Sequence, residues 1–231
     1  MSPNALIHST LRLFGKNYAP DAGLPLSFFA RMALRRSLWL MRGFMRTGKK
    51  CFIGPRVTIE GSGNLHLGHW VTFENDVRIN AITREKMALG DHVKIGAFSR
   101  VLCSAHFSKV GRRFVMGQGS ACGEFCYFGA AGGISIGENV LIGQYVSFHA
   151  QDHVFAHPDR PIQEQGVTEK GIEVANDCWI GAKATLLDGT KLGAHSVVAA
   201  GAVVKGEFPP YSLLAGVPAR VVRNLREEHD G

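Results

Sequence analysis

Aliphatic residues recur at every sixth position through most of this chain. The longest unbroken run comprises Val174, Ile180, Leu186, Leu192, Val198 and Val204. The same spacing appears earlier in sets of three, which are Leu67, Phe73 and Ile79; Leu89, Ile95 and Val101; Met116, Cys122 and Phe128; and Ile136, Ile142 and Phe148. Neither the 3.6-residue period of a helix nor the two-residue period of a strand explains this pattern. A six-residue period predicts a parallel β-helix, in which three short strands complete each coil and the aliphatic side chains point inward.

Glycine often follows the aliphatic residue, and extra residues interrupt the register at five places. The 28 glycines are more than an average chain of 231 residues carries, and we expect them where the coil must turn without room for a Cβ atom. The largest interruption lies between Phe148 and Val174 and contains His153 and His157. Because the register resumes after each interruption, we expect the added residues to leave the coil as loops. Functional groups of repeat proteins commonly lie on such loops.

The charge divides the chain into a basic N-terminal segment and a nearly neutral remainder. Residues 1–50 contain nine Lys or Arg and one acid, whereas the other 181 residues contain 17 basic and 18 acidic side chains. The basic character therefore does not belong to the repeat domain, and nothing in the pattern favours nucleic-acid binding. We predict three regions: a basic, amphipathic helical segment (1–50), the β-helix (51–206) with an inserted loop at 149–172, and a C-terminal extension (207–231).

Residues 24–46 are apolar but contain five arginines, which argues against a transmembrane span. An amphipathic helix or helix pair that packs on the main domain fits better, and weak association with an anionic membrane surface is the alternative. The first twenty residues lack the continuous apolar core of a secretory signal. The five cysteines contain no CxxC pair, which favours buried thiols in a reducing compartment. We therefore expect a cytoplasmic protein, with the inner face of the membrane as the surface that the N-terminus would reach.

Three sequence segments carry a resemblance to a known family. They are "ISIGENVLIGQYVSFHAQDH", "NDCWIGAKATLLDGTKLGAHSVVAAGAVVK" and "PPYSLLAGVPARVVR". The chain resembles the hexapeptide-repeat acetyltransferases with a left-handed β-helix, in particular the group that acetylates maltose, galactosides and capsular polysaccharide. The resemblance implies an all-β fold: a left-handed parallel β-helix of hexapeptide repeats with an N-terminal helical segment and a short C-terminal extension. It also implies a homotrimer with active sites at the subunit interfaces and acetyl-CoA as co-substrate, without a metal.

The resemblance places the catalytic base of this family at His153, where the chain leaves the coil. Acetyl transfer from a thioester to a hydroxyl needs a group that removes a proton as the oxygen attacks. An imidazole, with a pKa of ~6.5, suits this role at neutral pH. A backbone N–H group would stabilise the oxyanion, and no covalent acyl-enzyme is required.

Further positions take roles by the same resemblance. The cofactor-binding positions are Trp179, Gly181, Ala182, Ala200, Lys205, Arg220 and Arg223. Trp179 would pack near the pantetheine arm, and Arg220 and Arg223 would contact the adenosine phosphates. The role of Lys205 is weaker, because the lysine stands one place ahead of its usual position. Candidate acceptor contacts, whose alternative is ordinary loop or surface residues, are Asp152, His157, Gln165, Glu169 and Glu124.

These observations favour an acetyl-CoA:sugar acetyltransferase that acts on a hydroxyl of a polysaccharide, lipopolysaccharide or capsule precursor. N-acetylation of a nucleotide-linked amino sugar is the first alternative, because the sequence does not show which residues form the acceptor pocket. A γ-type carbonic anhydrase, with zinc held by three histidines, is a more distant one. The basis for this alternative is the presence of three closely spaced histidines, His149, His153 and His157. Residues four apart on a strand lie about 13 Å from each other, however, so only ligation between subunits could form such a site. A non-catalytic β-helix scaffold is the last alternative.

Overall fold

The computed structural model describes residue 21, residues 23–104 and residues 109–227. Residues 1–20 and 22 of the predicted N-terminal segment lie outside the described residues, as do residues 228–231 of the predicted C-terminal extension. One helix, α1, spans Leu26–Thr47. Within the described ranges, no helix combines the length and the hydropathy needed to cross a bilayer.

Apart from two 3₁₀ turns, Ser62–Asn64 and Ile162–Glu164, short strands make up the rest of the regular structure. In chain order they are β1 Phe52–Ile53, β2 Thr58–Glu60, β3 Leu65–Leu67, β4 Thr72–Phe73, β5 Arg78–Asn80, β6 Met87–Leu89, β7 Lys94–Ile95, β8 Arg100–Leu102, β9 Phe114–Met116, β10 Ala121–Cys122, β11 Tyr127–Gly129, β12 Ile134–Ile136, β13 Leu141–Ile142, β14 Ser147–His149, β15 Asp152–His153, β16 Val167–Thr168, β17 Ile172–Val174, β18 Trp179–Ile180, β19 Thr185–Leu187, β20 Lys191–Leu192, β21 Val197–Val198, β22 Val203–Val204, β23 Glu207–Phe208, β24 Ser212–Gly216 and β25 Ala219–Asn224.

Apart from β15 and β16, which pair only with each other, these strands form three sheets that the chain visits in rotation. Sheet 1 has the order β1-β4-β7-β10-β13-β18-β21-β24-β25, sheet 2 the order β2-β5-β8-β11-β14-β19-β22, and sheet 3 the order β3-β6-β9-β12-β17-β20-β23. Pairing between coils is parallel, and only β25 adds to sheet 1 in the antiparallel sense. A chain that passes through three sheets in turn and returns to the first is a triangular coil, so the predicted parallel β-helix is confirmed.

The hexad aliphatic residues form the interior of the coil. All eighteen positions in the run from Val174 and in the four sets of three are buried. The strand register places Ile142 beside Ile180 and Ile180 beside Val198, so each side chain stacks on its equivalents in the next coils. Since one coil cannot bury its own interior, this stacking stabilises the fold.

Glycine follows the core residue because the neighbouring coil leaves no room for a side chain. A Cβ atom on Gly181 would lie 2.6 Å from the backbone nitrogen of Ala200, and one on Gly96 would lie 2.2 Å from the carbonyl oxygen of Gly123. Both contacts are with backbone atoms, which cannot move aside without displacing a coil. The predicted reason for these glycines, lack of space for a Cβ atom, is confirmed.

All five register interruptions fall on one edge of the prism, where the chain passes from sheet 2 to sheet 3. They separate β2 from β3, β5 from β6, β8 from β9, β11 from β12, and β14 from β17. We call this edge the loop corner. Its loops contact one another across coils, as where Lys109 Nζ lies 2.6 Å from Glu169 Oε2. The other two edges consist of tight turns, so the loop corner is the place where the chain departs from the repeat.

The helix α1 closes the first coil by packing on β1. Its buried residues are Trp39 and Gly43. A Cβ atom on Gly43 would lie 1.9 Å from the carbonyl oxygen of Cys51, so the helix backbone approaches the coil directly. The N-terminal helical segment thus contains one helix in its described part, fixed against the end of the prism.

Candidate active site

The chain leaves the prism after β14 as a hairpin that returns at β17. In this hairpin β15 pairs with β16 in the antiparallel sense, with Asp152 opposite Thr168 and His153 opposite Val167. The backbone N–H of Val154 donates to the carbonyl oxygen of Gly166 at 3.0 Å. The strand pairing fixes the backbone of His153 although the residue lies outside the repeat.

Asp188, in the next coil, holds the return strand of the hairpin. Its carboxylate is buried and accepts three hydrogen bonds, from Thr168 Oγ1 at 2.9 Å, from the Lys170 N–H at 3.1 Å and from the Gly171 N–H at 2.8 Å. A charged acceptor that satisfies several donors in a site of low polarity makes strong hydrogen bonds. Asp188 therefore connects the hairpin to the prism.

We predict that Asp188→Ala lowers the free energy of unfolding by about 1–3 kcal/mol, because two backbone N–H groups lose their acceptor. Hydrogen–deuterium exchange should accelerate at residues 167–171 more than in the sheets. The free energy of unfolding of Asp188→Asn should lie between those of Asp188→Ala and the parent protein, since one oxygen acceptor remains. Asp159→Ala, an exposed aspartate of the same hairpin, is the matched control and should leave exchange at residues 167–171 unchanged. Equal exchange in Asp188→Ala and in the parent protein would contradict the anchoring role.

His153 lies at a cavity of about 270 Å³ between the hairpin and the coil above. The cavity is lined by Asp152, His153, Val154, Phe155, Ala156, Thr168, Lys170, Asp188 and Lys205. The imidazole is exposed, and within the described residues neither ring nitrogen has a hydrogen-bond partner. Lys205 Nζ instead donates to Asp152 Oδ2 at 2.7 Å. An imidazole in this position can accept a proton from a molecule that enters the cavity.

The three histidines of the sequence motif do not converge. His149 ends β14 and its ring lies against Tyr127, with a centroid distance of 5.5 Å. His153 is in the hairpin strand, and His157 lies farther out, where its backbone N–H donates to Gln165 Oε1 at 3.0 Å. Among the residues that the structure describes, no group of three or more His, Cys, Asp or Glu side chains could hold a metal ion. A three-histidine zinc site within one chain has no support here.

The predicted acceptor contacts have different surroundings. Gln165 uses its amide on the hairpin itself, since Nε2 donates to the carbonyl oxygens of His157 and Arg160, both at 2.8 Å. Glu169 contacts Lys109 and accepts from Gln151 Nε2 at 3.2 Å. Glu124 lies in the turn between sheets 1 and 2, away from the loop corner. The structure thus brings Asp152, His157, Gln165 and Glu169 into one hairpin and leaves Glu124 outside it.

The predicted cofactor positions lie mostly on another side of the prism. Trp179 is on the outer face of sheet 1, 56% exposed, beside Leu141. Gly181, Ala182 and Ala200 follow in the turns from sheet 1 to sheet 2, and Arg220 and Arg223 lie on β25 at the end of sheet 1. In a triangular prism, sheet 1 is opposite the corner between sheets 2 and 3. One chain therefore does not bring Trp179 and His153 together, and Lys205 lies with His153 rather than with Trp179.

Sequence reasoning missed six of the nine residues that line the cavity, among them Asp188, Lys170 and Phe155. Asp188 comes two positions after the core residue Leu186. An acidic residue so close to a core position indicates a buried polar contact, and this could have been noticed in the sequence. Lys170 and Phe155 lie in the insertion, which has no register, so their placement had no sequence signal. Phe155 is 77% exposed, and it supplies an aromatic side chain beside His153.

Three of the cysteines, Cys51, Cys103 and Cys178, are unsuited to act as nucleophiles. All five are buried and unpaired, as the sequence predicted. Burial raises the pKa of Cys51 and Cys178, and it raises the pKa of Cys103 to about 12. A thiol with a raised pKa is a poor nucleophile at neutral pH, because the thiolate is the reactive form. Cys51, Cys103 and Cys178 therefore act as small core side chains.

The three-sheet coil and its hexad core give the chain the architecture of a parallel β-helix with a six-residue repeat. A sequence profile described as bacterial transferase hexapeptide (six repeats) matches residues 171–206. A probable acetyltransferase from Mycobacterium tuberculosis is 30% identical over 139 residues, which cover 60% of this chain and 44% of that protein. Galactoside O-acetyltransferase from Escherichia coli is 35% identical over 98 residues, which cover 42% of this chain and 47% of that protein. These matches confirm the resemblance to hexapeptide-repeat acetyltransferases.

The aligned segments span only about half the length of these two curated relatives. Among solved structures, AntD, an N-acyltransferase from Bacillus cereus in complex with dTDP and 3-hydroxybutyryl-CoA, has a TM-score of 0.50 and 16% identity. That comparison covers 82% of this chain and 93% of the AntD chain. At this identity the similarity concerns the fold alone.

Proposed function

We propose that the protein is an acetyltransferase that uses acetyl-CoA to acetylate a sugar hydroxyl of a polysaccharide, lipopolysaccharide or capsule precursor. The observation that carries the proposal is the position of His153, on an anchored hairpin beside a cavity, with both ring nitrogens unengaged within the described residues. The acetyltransferase names of the relatives support the reaction class, and the galactoside O-acetyltransferase supports a sugar hydroxyl as acceptor.

In the proposed reaction His153 acts as the general base. One imidazole nitrogen takes the proton of the acceptor hydroxyl while the oxygen forms a bond to the thioester carbonyl carbon. The tetrahedral intermediate then expels the CoA thiolate, which receives the proton from the imidazolium. The proton thus passes from the acceptor to the leaving group, and the histidine ends neutral.

The donor would lie between two copies of the chain. Trp179 and Leu141 form an exposed apolar pair on sheet 1, 56% and 57% exposed, which a neighbouring subunit or the pantetheine arm would cover. Because His153 and Trp179 lie on opposite sides of one prism, a site that uses both requires the hairpin of one copy to reach sheet 1 of the next. Threefold association, the closed arrangement implied by the family resemblance, allows each copy to give and receive this contact. The left-handed sense of the coil belongs to the same proposal.

N-acetylation of a nucleotide-linked amino sugar is the alternative for the acceptor. Both reactions need the same base and donor, so the difference rests on which acceptor turns over.

The five unpaired, buried thiols support a reducing compartment, in keeping with a cytoplasmic enzyme.

Acetyl-CoA is expected to raise the melting temperature of the full chain by about 5 °C or more at 100 times its Kd. Such an excess stabilises by ~2.7 kcal/mol, and a chain of this size gains about 2–4 °C per kcal/mol. Differential scanning fluorimetry with CoA, acetyl-CoA and then candidate glycans and nucleotide sugars measures this shift and identifies the acceptor. Trp179→Ala should reduce the shift without lowering the melting temperature of the free protein. Absence of any shift with both CoA and acetyl-CoA would contradict the proposed donor.

A further inference from the structure

The helix α1 presents an apolar stripe on the side that faces away from the prism. Successive helical residues are turned by about 100°, so the face opposite Trp39 and Gly43 is fixed by the sequence. That face carries six large apolar side chains, all exposed: Leu26, Leu34, Leu38, Met41, Phe44 and Met45. Leu34 and Met45 are 64% and 68% exposed. Contiguous exposed apolar surface of this kind marks a contact with something outside the chain.

The stripe cannot turn inward, because the opposite face of α1 is fixed to the coil. Gly43 lies against the backbone of Cys51 with no space for a Cβ atom. Arg42 donates to the carbonyl oxygen of Ile53 at 2.8 Å, and Arg46 donates to that of Val57 at 2.9 Å. These contacts lie along two turns of the helix and determine its rotation about its own axis. The apolar stripe is therefore a permanent feature of the surface.

Cations border the stripe, and acids are absent from its neighbourhood in sequence. Arg31, Arg35 and Arg42 follow one flank of the stripe on the helical projection. Between Asp21 and Glu60 the sequence contains no Asp or Glu, whereas it contains eight basic residues: Arg31, Arg35, Arg36, Arg42, Arg46, Lys49, Lys50 and Arg56. The surface that covers the stripe must therefore accept apolar side chains and positive charge together.

We propose that α1 docks through this stripe on an anionic lipid surface and lies in the plane of the interface. Leucine, methionine and phenylalanine side chains would enter the headgroup and acyl boundary, while Arg31 and Arg35 would remain at the level of the lipid phosphates. A second copy of the chain fits this face less well, because two acid-free helices would bring their arginines together. The proposal is independent of the acetyl-transfer reaction.

Sedimentation of the full chain with lipid vesicles tests the proposal. Vesicles with about 30 mol% phosphatidylglycerol should bind the protein at least ~10-fold more strongly than pure phosphatidylcholine vesicles, and ~0.5 M NaCl should weaken the binding. Leu34→Gln/Leu38→Gln/Met45→Gln should abolish the binding. Arg31→Gln/Arg35→Gln should weaken it by about 30-fold, since each cation near an anionic surface contributes about 1 kcal/mol.

The control variant is Ile82→Gln/Ile162→Gln, which removes two exposed apolar side chains elsewhere and should leave vesicle binding unchanged. Thermal melts of the triple glutamine variant and of the control variant should match that of the parent protein, because their substituted side chains are exposed. Arg31→Gln/Arg35→Gln also loses the contact of the Arg35 guanidinium with the Trp39 ring, 5.3 Å from its centroid, and should melt slightly lower. Equal binding to neutral and anionic vesicles would overturn the proposal, as would equal loss in the control variant. If the parent binds no vesicles and the triple glutamine variant changes the oligomeric mass in light scattering, the stripe is a contact between copies and the proposal is wrong.

Discussion

Replacing His153 with alanine is expected to lower kcat/KM for acetyl transfer by about 10²–10⁴-fold, the range that a general base contributes. The imidazole is exposed and has no hydrogen-bond partner within the described residues, so its removal leaves no buried group unsatisfied. Stability and the melting shift with acetyl-CoA should therefore remain as in the parent protein. Steady-state kinetics with the acceptor found in the ligand screen, together with melting curves, measure both effects.

His149→Ala and His157→Ala are the matched controls for this loss. His149 lies against Tyr127 within sheet 2, and His157 is held through its backbone, so neither imidazole lines the cavity. Both control variants should keep most of the activity. Unchanged kcat/KM in His153→Ala would contradict the role of His153 as the general base, whereas absence of acetyl transfer by the parent protein would favour a non-catalytic role for the β-helix.

Phe128→Ala should lower the free energy of unfolding by about 3–5 kcal/mol, the largest stability effect that we expect from a single substitution. Phe128 is fully buried, and its ring stacks on Phe148 at 4.9 Å and meets the edge of Phe114 at 5.4 Å. Truncation leaves a cavity in the middle of the stack of coils, where each coil depends on its neighbours. Since the free energy of unfolding of a typical protein is about 5–15 kcal/mol, this loss is a large part of the total stability.

Urea unfolding followed by circular dichroism measures the loss at Phe128. Phe128→Leu should cost less, because a smaller cavity remains. Phe155→Ala is the matched control: that ring is 77% exposed in the hairpin, and its removal should change the free energy of unfolding by no more than about 0.5 kcal/mol. Equal effects of Phe128→Ala and Phe155→Ala would contradict the placement of the hexad core.

The sequence predicted the coil well because the hexad pattern repeats one physical requirement. Each core position must be apolar, and the next must often be glycine, since another coil lies directly above and below it. The pattern alone therefore places Leu186 inside the coil and Gly181 at its turn. The insertions are also visible in the sequence, as breaks in this register.

The conformation of the inserted loops could not be predicted from the six-residue period and required the structure. The register breaks give the lengths of the insertions but not the paths that the inserted residues take outside the coil. Inside the hairpin, Gln165 was a candidate for substrate contact, but its amide is occupied by the backbone at His157 and Arg160. Local hydrogen bonds of this kind depend on the turn that forms, and loop sequences without a repeat do not specify it.

The relation between His153 and Trp179 also required the structure. The resemblance assigns both residues to one site, and the sequence distance between them gives no reason for doubt. The coil places them on opposite sides of the prism, because a strand of sheet 1 is always opposite the corner between sheets 2 and 3. A shared site therefore demands two chains, which makes subunit association part of the proposed catalysis.

Mixed oligomers of His153→Ala and Trp179→Glu chains test the central claim, that the proposed site combines the hairpin of one chain with sheet 1 of another. Each variant alone should have little activity, since one lacks the base and the other places a charge where the pantetheine arm of CoA would pack. In a threefold oligomer that contains both differently tagged variants, one of the three interfaces has both groups intact, whichever variant contributes two chains. Purification through both tags, followed by acetyl-transfer assays, measures the recovered activity. We predict about a third of the parental activity; a mixture no more active than either variant would contradict the account.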